Sequence, residues 1–303
     1  ITIFSAVPQL WEIFFDQIAK KIKNESKFKH ALFMFVLKHA PSFRHVGLGK
    51  FLDKLFYPIH KAFGLKVRIL LCGGSRLGWR YCLYYKYMGF TLIEGYGLTE
   101  TTGPLVGGNP RKPKPICVGK PLGENFVEVR NHNKDGIGDI WLKGVSVMPG
   151  YYKNPEATKA AFDENGWFDT GDMGFLDKQG ELHIRGRRKN VIVMASGKNV
   201  YPEELEAYYL KSPLIEEITI FGRYVDRHET VYAVIRPPEN TENAYAKIKT
   251  ELKHLSFGLP TYKRIGDFAV SAEPLPRTST QKVKVHEVIA LLEAGKYQTK
   301  PAG

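Results

Sequence analysis

Residues 67–75, VRILLCGGS, and residues 90–100, FTLIEGYGLTE, carry the pattern that decides the fold. Each is a short apolar run, as in a buried strand, and each runs into glycines. The segment between them, from Trp79 to Met88, has helical spacing. Strand, helix and strand with glycine-rich exits is typical of a parallel α/β sheet, whose ligands gather at the carboxyl ends of the strands. We therefore expect both glycine segments to lie at a ligand-binding edge.

The regions on either side predict further elements. Residues 8–63 predict helices, because large apolar residues such as Trp11 and Phe15 recur at helical spacing. A linker rich in Pro, Lys and Arg at residues 109–115 leads into the short strands FVEVR, GDIWLKG and GELHIRG, typical of small antiparallel sheets or a barrel. After Gly186, strands alternate with helices, one beginning at Pro202, which predicts a small α+β module.

Composition limits the classes of partner. The 303 residues suggest two or three structural units, and 43% hydrophobic with 25% charged residues is ordinary for a globular protein. The net charge of +13 is concentrated in residues 1–93, which hold 15 Lys and Arg against 4 Asp and Glu. An anionic membrane, nucleic acid, a polyphosphate ligand or plain solvent would each suit this basic region. No nucleic-acid-binding motif accompanies it, so we do not expect nucleic acid as a partner.

One helical segment of the basic region and the cysteines bear on location. Residues 27–40, KFKHALFMFVLKHA, are apolar in the middle and basic at both ends, a pattern compatible with lipid contact although simple packing is commoner. Cys72, Cys82 and Cys117 have no metal-binding spacing, and an odd number of cysteines favours a reducing compartment. We expect a cytoplasmic protein and leave open a peripheral membrane contact through the basic N-terminal region.

Two segments offer ligand-binding chemistry. In residues 95–103, GYGLTETTG, backbone N–H groups and hydroxyls suit phosphate oxygens, and the carboxylate of Glu100 suits Mg²⁺. In residues 166–189, Asp169 and Asp172 flank a predicted Thr-Gly turn, with Arg187 in the arginine cluster that follows. Aspartate accepts hydrogen bonds from ribose hydroxyls, and arginine pairs with phosphate or ribose oxygens. Either segment alone would be better explained as an ordinary loop.

The order of the segments along the chain favours ligand binding over ordinary loops. LLCGGSRL, GYGLTETTG, GWFDTGDMG, GRRKN and PLPRTSTQK follow one another as in the adenylate-forming superfamily of acyl-CoA synthetases, luciferases and peptide-synthetase adenylation domains. The chain most resembles the long-chain fatty acyl-CoA ligases, from about Val7 onward. The resemblance implies that a fatty acid reacts with ATP and Mg²⁺ to give acyl-AMP and pyrophosphate, and that the acyl group then passes to coenzyme A. It implies an α/β part of the large domain at residues 1–114, a β-rich subdomain at 115–187 with a small β-barrel, and a mobile α+β domain at 188–303.

The resemblance also implies roles for the matching positions in LLCGGSRL and GYGLTETTG. Tyr96 would pack on adenine within a loop that includes Gly97. Thr99 would bind phosphate and Glu100 would hold Mg²⁺, so both would take part in catalysis. Three residues would border the adenine and the acyl pocket: Gly73, Gly74 and Ser75.

Five further positions match the family in the second half of the chain. Asp172 would bind the ribose hydroxyls, with Arg187 beside it. Lys189 would be the hinge residue about which the C-terminal domain swings. Lys282 would bridge the acyl carboxylate and phosphate oxygens during adenylation, as a catalytic residue, and Gly197 would lie in the loop that lines the coenzyme A channel.

Two departures from the family pattern qualify this interpretation. Gln281 stands where the final motif normally has glycine, and no Ser/Thr/Gly-rich, lysine-containing phosphate loop occurs in the chain. We therefore expect the chain to be the C-terminal part of such a ligase and to be weak or inactive by itself. Two alternatives remain: a non-catalytic module that binds nucleotide or acyl-CoA, and a ligase for another carboxylic acid or for a carrier-protein thiol. Thr99 favours coenzyme A over a carrier protein, since ligases of the carrier type usually have Ala there.

Overall fold

The computed structural model describes residues 2–74, 77–114, 117–225, 228–238, 243–278 and 282–299. The chain divides into two compact units. The first unit comprises Ile1–Thr170 and Gly174–Ile184, and the second comprises Gly171–Met173 and Arg185–Gly303. Each unit is described by itself below, and the three-part division predicted from the sequence stays a proposal.

Helices and a mixed sheet form the N-terminal part of the first unit. Pro8 occupies the first turn of the first helix, where its missing N–H costs no hydrogen bond. Trp11 is fully buried in a core of aromatic and aliphatic side chains, and its indole N–H donates to the carbonyl of Leu71 at 3.2 Å. The helices are α1 (Pro8–Glu25), α2 (Lys27–His45), α3 (Gly49–Ala62) and α4 (Trp79–Tyr87).

The first sheet confirms the predicted parallel α/β core. Its strand order is β1 (Ile3–Ala6), β2 (Ile69–Cys72), β3 (Thr91–Leu98), β4 (Gly103–Gly107) and β5 (Lys120–Pro121). The first three strands are parallel, with Cys72 opposite Glu94, and the last two pairings are antiparallel. Strand β1 has no predicted counterpart in the sequence reading, since its four residues are too few for a periodic signal. Strand β2 ends at Cys72, opposite Glu94, and β3 continues beyond that pair to Leu98, so both strands run toward the same edge of the sheet.

A second sheet follows the linker. It has the order β6 (Asn125–Arg130), β7 (Gly138–Gly144), β8 (Phe168–Leu176) and β9 (Leu182–Arg187), and β6 pairs with β7 in antiparallel register. The helix α5 (Pro155–Ala161) is capped by Asn154, whose side chain accepts the N–H of Ala157 at 3.0 Å. In the described residues this region is a four-stranded sheet whose first and last strands do not pair with each other, so the expected small barrel is corrected to a sheet, with Leu182 of β9 bridged to Gly119. A closed barrel would require its first and last strands to pair.

The second unit is the predicted α+β module. A short hairpin of β10 (Ile192–Val193) and β11 (Asn199–Val200) precedes α6 (Pro202–Tyr209). The strands β12 (Glu217–Val225), β13 (His228–Arg236) and β14 (Asp267–Val270) form a sheet in that order, antiparallel and then parallel. Helices α7 (Ala244–Ser256) and α8 (Val285–Glu293) complete the unit. The sequence reading includes no helix at α8, although HEVIALLE within it has helical spacing.

Within the described part of the chain, none of the helices combines the length and the hydropathy that crossing a bilayer requires.

Candidate functional site

The first candidate residues follow β2. Gly73 lies beside the neighbouring strand. A methyl group added to it would stand 3.6 Å from the carbonyl oxygen of Gly95, which is an ordinary van der Waals distance. Gly74 has φ +91°, a left-handed conformation that favours glycine. The next predicted residue, Ser75, lies outside the described residues. The glycine pair thus leaves the backbone at the end of β2 without side chains that could block a ligand.

Tyr96 and Gly97 end the regular part of β3. The Tyr96 ring is 8% exposed and packs with Leu105 and Val106 in the core of the first unit. A methyl group on Gly97 would stand 1.9 Å from the carbonyl oxygen of Gly103, far inside contact distance, and the strand register shifts at this point. Gly97 is therefore required for the close approach of β3 and β4, whether or not a ligand binds there.

A single 3₁₀ turn, Thr99–Thr101, presents the residues predicted to bind phosphate and metal. The buried hydroxyl of Thr101 accepts the N–H of Leu98 at 2.8 Å, and Thr102 adopts a left-handed φ of +53° and donates its hydroxyl to the carbonyl of Ser146 at 3.2 Å. These two threonines hold the turn. The Thr99 side chain is exposed and that of Glu100 is half-buried. The sequence predicts that the turn binds a ligand, but it does not show that Thr101 and Thr102 hold the turn while Thr99 and Glu100 are available to a ligand.

Glu100 is positioned by two contacts within the first unit. Its backbone carbonyl accepts the N–H of Met148 at 2.7 Å, and its carboxylate accepts the hydroxyl of Tyr151 at 3.1 Å. Burial and the nearby Glu100 carboxylate raise the pKa of the Tyr151 hydroxyl, so the hydroxyl remains a donor. No group of three or more His, Cys, Asp or Glu side chains in the described residues is placed to hold a metal ion alone. One carboxylate completed by phosphate oxygens and water is how Mg²⁺ commonly binds beside a nucleotide, so Glu100 fits that role.

Asp172 and Arg187 meet in the second unit. The Arg187 Nε atom lies 2.9 Å from Oδ1 of Asp172, whose side chain is 9% exposed, while 43% of the Arg187 side chain is exposed. The predicted Thr-Gly turn is wrong, because these residues lie inside β8. Burial alternates along β8, so Asp172 lies on its buried face and Asp169 on the other. Asp172 and Asp169 therefore lie on opposite faces of β8, and only Asp172 shares a face with the Arg187 contact.

The proposed hinge residue has a support that the sequence reading missed. Lys189 is exposed in a 3₁₀ turn, Arg188–Asn190. The carboxylate of Glu203, in the first turn of α6, accepts the side-chain amide of Asn190 at 2.8 Å and the backbone N–H of Arg187 at 3.5 Å. Its other oxygen is buried and has no hydrogen-bond partner in the described part of the chain. Glu203 thus ties the turn that contains the predicted hinge residue to α6, whereas the sequence indicated only a favourable charge at a helix N-terminus.

Gly197 and Lys282 lie on two separate turns of the second unit. Gly197, with φ +71°, closes the β10–β11 hairpin, and its N–H donates to the carbonyl of Met194 at 2.8 Å. The exposed Lys282 forms two hydrogen bonds with Thr278 through its own backbone. Thr278 donates its N–H to the Lys282 carbonyl at 2.8 Å, and its hydroxyl accepts the Lys282 N–H at 3.1 Å. Gln281 lies outside the described residues.

The cysteines offer no reactive thiolate. All three are buried and unpaired in disulfide terms. Burial, reinforced by the carboxylate of Glu94, raises the pKa of Cys72 and of Cys82, and the Cys82 thiol donates to Glu94 at 3.4 Å. A thiol that stays protonated is a poor nucleophile.

The first half of the chain matches a model of a known protein family. Residues 1–152 match the model described as AMP-binding enzyme. The chain belongs to the AMP-binding enzyme family. This stretch of the AMP-binding enzyme contains the glycine pair, the Thr99–Thr101 turn and Tyr151.

Curated relatives of this AMP-binding enzyme include acyl-CoA ligases. The chain is 39% identical over 171 residues to a long-chain-fatty-acid–CoA ligase of Mycobacterium bovis, covering 56% of the chain and 28% of that protein. It is 31% identical over 260 residues to long-chain-fatty-acid–CoA ligase 5 of Rattus norvegicus, covering 82% of the chain and 37% of that protein. The chain therefore spans only about a third of the length of these ligases.

Solved structures support the same fold. The AMP complex of o-succinylbenzoate coenzyme A synthetase from Bacillus subtilis matches with a TM-score of 0.69 at 24% identity, covering 93% of this chain and 50% of that one. The complex of the same synthetase with ATP and a magnesium ion matches with a TM-score of 0.63 at 28% identity, covering 72% of this chain and 45% of that one. The mixed α/β architecture is that of adenylate-forming enzymes.

Proposed function

We propose that this AMP-binding enzyme is part of an AMP-forming long-chain fatty acyl-CoA ligase that uses ATP, Mg²⁺, a fatty acid and coenzyme A. The observation that carries the proposal is the hydrogen-bonded turn after β3, with Thr99 exposed and the Glu100 carboxylate accepting the Tyr151 hydroxyl. The parallel neighbour of β3, strand β2, runs into the glycine pair. Relatives whose names specify long-chain fatty acids support the substrate class.

In the first reaction the fatty acid carboxylate attacks the α-phosphorus of ATP, and the bond to pyrophosphate breaks. Two anions have to approach each other, so neutralising their charge should dominate catalysis. Mg²⁺ supplies part of that charge when bound, and Glu100 would hold it. The hydroxyl of Thr99 would bind phosphate oxygens, and Lys282 would bridge the carboxylate and the phosphate.

The ribose would be held by Asp172. Arg187 approaches Oδ1 of Asp172 at 2.9 Å and so restricts the orientation of the carboxylate. Oriented oxygen acceptors bind the two hydroxyls of a ribose at a low entropic cost. Tyr96 would pack on the adenine base, and Gly73, Gly74 and Ser75 would border the base and the acyl pocket.

In the second reaction the coenzyme A thiol attacks the acyl carbonyl, and AMP leaves. Lys282 has to withdraw first, and a swing of residues 188–303 about Lys189 would achieve this. Gly197 would then line the coenzyme A channel. The proposal includes a cytoplasmic location with peripheral membrane contact, where a fatty acid is available from the bilayer.

Pyrophosphate release tests the proposal. It is measured with ATP, Mg²⁺, coenzyme A and acids from octanoate to stearate, with benzoate as a comparison, on this chain and on the longest reading frame that contains it. We expect turnover by the longer protein that rises with chain length, and little turnover by the chain alone. Turnover with benzoate but with no fatty acid would refute the long-chain assignment. Lys282→Ala should abolish adenylation while sparing thiol transfer from supplied acyl-AMP, and equal loss of both steps would refute its role.

A further inference from the structure

Helix α2 has two apolar faces, and only one of them is packed. The inner face contributes Phe33, Val36, Leu37 and Ala40 to the core. On the outer face Phe28, Leu32 and Phe35 are 76%, 46% and 53% exposed. Their spacing of four and three residues aligns them in one stripe along the helix. An exposed stripe of large apolar side chains on a helix that already has a packed face calls for a second contact surface.

Lysines border this stripe. At 100° per residue, Lys27 and Lys38 fall on one side of the stripe and Lys29 on the other, and all three side chains are exposed. Lys29 also forms a surface ion pair with Glu25 of α1 at 3.3 Å. Helix α2 itself contains no Asp or Glu. The outer face is therefore apolar along most of its centre, where the His39 ring contacts Phe35 at a centroid distance of 4.4 Å, and cationic along its edges.

Helix α3 repeats the pattern. Its buried residues are Leu52 and Phe56, while Phe51 and Leu55 are 59% and 40% exposed on the outer side. Lys50 and Lys54 are exposed on the same helix. The combination of apolar stripe and lysine border is thus not confined to one helix of the basic N-terminal third.

We propose that the outer face of α2 docks on an anionic lipid surface, with the helix lying in the plane of the interface. Phe28, Leu32 and Phe35 would enter the boundary between headgroups and acyl chains, and the lysine side chains would extend to lipid phosphates. The lysine border favours an anionic bilayer over an apolar protein partner, because lipid phosphates on both sides of the stripe complement the lysines, whereas an apolar partner offers them no opposite charge. The inference deepens the membrane contact of the proposed function and rests on it only for its biological purpose, the supply of fatty acid from the bilayer.

Vesicle flotation tests the docking surface. The chain is floated with phosphatidylcholine vesicles and with mixed phosphatidylcholine–phosphatidylserine vesicles. We expect binding to the mixed vesicles, weakened by salt. Phe28→Ser/Phe35→Ser should lower the partition coefficient at least about tenfold through lost apolar burial. Lys27→Glu/Lys38→Glu should lower it at least about 25-fold, since each lysine near an anionic surface contributes about fivefold.

A matched control separates this surface from general stickiness. Phe126 and Phe257 are 58% and 77% exposed elsewhere on the chain. Phe126→Ser/Phe257→Ser removes the same chemical groups and should leave vesicle binding within about twofold. Binding that is equally weakened by the control, or unchanged by Phe28→Ser/Phe35→Ser, would overturn the proposal.

Three further results would also overturn it. The first is no binding of the folded chain to mixed vesicles. The second is a fall in molar mass of Phe28→Ser/Phe35→Ser by light scattering without a change in vesicle binding, which would assign the stripe to a second copy. The third is binding by the chain but not by the longer protein that contains it, which would mean that another segment covers α2. Flotation requires no catalysis, so failure of the ligase assignment in the pyrophosphate assay would be seen separately.

Discussion

Gly97→Ala is the sharpest structural perturbation in the candidate site. The added methyl carbon would stand 1.9 Å from the Gly103 carbonyl oxygen and 2.8 Å from Cα of Pro104. Both neighbours are backbone atoms in the adjoining strand, so β3 and β4 must separate by more than about 1 Å to reach even a tight contact of 3.0 Å. Such a separation lengthens the hydrogen bonds around the Leu98–Gly103 pair beyond their useful range. We expect the free energy of unfolding of the first unit to fall by about 2–4 kcal/mol, from overpacking and weakened ladder bonds.

Tryptophan fluorescence during urea unfolding measures this effect. The four tryptophans, Trp11, Trp79, Trp141 and Trp167, all lie in the first unit, so their emission reports on that unit alone. Gly73→Ala is the matched control, because its methyl group would make only an ordinary contact at 3.6 Å and it should cost less than about 1 kcal/mol. Equal midpoints for the two variants would refute the packing role of Gly97 and leave ligand binding as the reason for glycine.

Three further perturbations have defined outcomes. Glu203→Ala should expose the bond after Lys189 to trypsin at least several-fold faster, seen by mass spectrometry, since two hydrogen bonds to the hinge segment are lost. Burial raises the pKa of Glu206 from the usual 4.5 to about 7, so between those values this carboxyl ionises only when unfolded. Stability of the second unit should therefore fall as pH rises through that window, by up to about 3 kcal/mol, and Glu206→Gln should flatten the pH dependence of urea unfolding. Tyr151→Phe should weaken Mn²⁺ binding in the presence of ATP several-fold, measured by electron paramagnetic resonance, because Glu100 loses its donor.

Each of these has a contradicting result. Unchanged cleavage of Glu203→Ala would mean that the hinge turn does not depend on α6. A pH dependence that survives in Glu206→Gln would assign the titration to another group. A Tyr151→Phe variant with lower thermal stability and normal Mn²⁺ affinity would make that hydroxyl a structural rather than a positioning group.

Sequence periodicity predicted the parallel core because the strands around residues 69–72 and 91–98 are apolar, short and followed by glycines. The motif at residues 166–189 placed Asp172 and Arg187 near each other, and they form an ion pair in the structure, while their ligand-binding roles stay a prediction. Both the parallel core and this ion pair depend on signals that are local in sequence or carried by ordered motifs. The parts that failed lack such signals. Strand β8 contains Asp, Thr and two glycines, which read as a turn, yet its pairing within the sheet outweighs its weak local propensity.

The supporting residues could not be found from one sequence. Tyr151 is 51 positions from Glu100, and the two meet only because the chain returns after β7. Glu203 contacts a turn that lies more than ten residues earlier, and its charge at a helix N-terminus already had a sufficient local explanation. Glu94 stood in the quoted motif, but its burial beside Cys82 depends on helix α4 packing on β3.

Calorimetric titration with a stable acyl-sulfamoyl-adenosine, an analogue of acyl-AMP, tests the central claim most directly. We predict that this AMP-binding enzyme binds the palmitoyl analogue more tightly than the acetyl analogue, and that Asp172→Ala weakens both at least about tenfold through lost hydrogen bonds to the ribose. Absence of binding by the folded chain, or affinities that neither Asp172→Ala nor acyl length alters, would contradict an acyl-adenylate site.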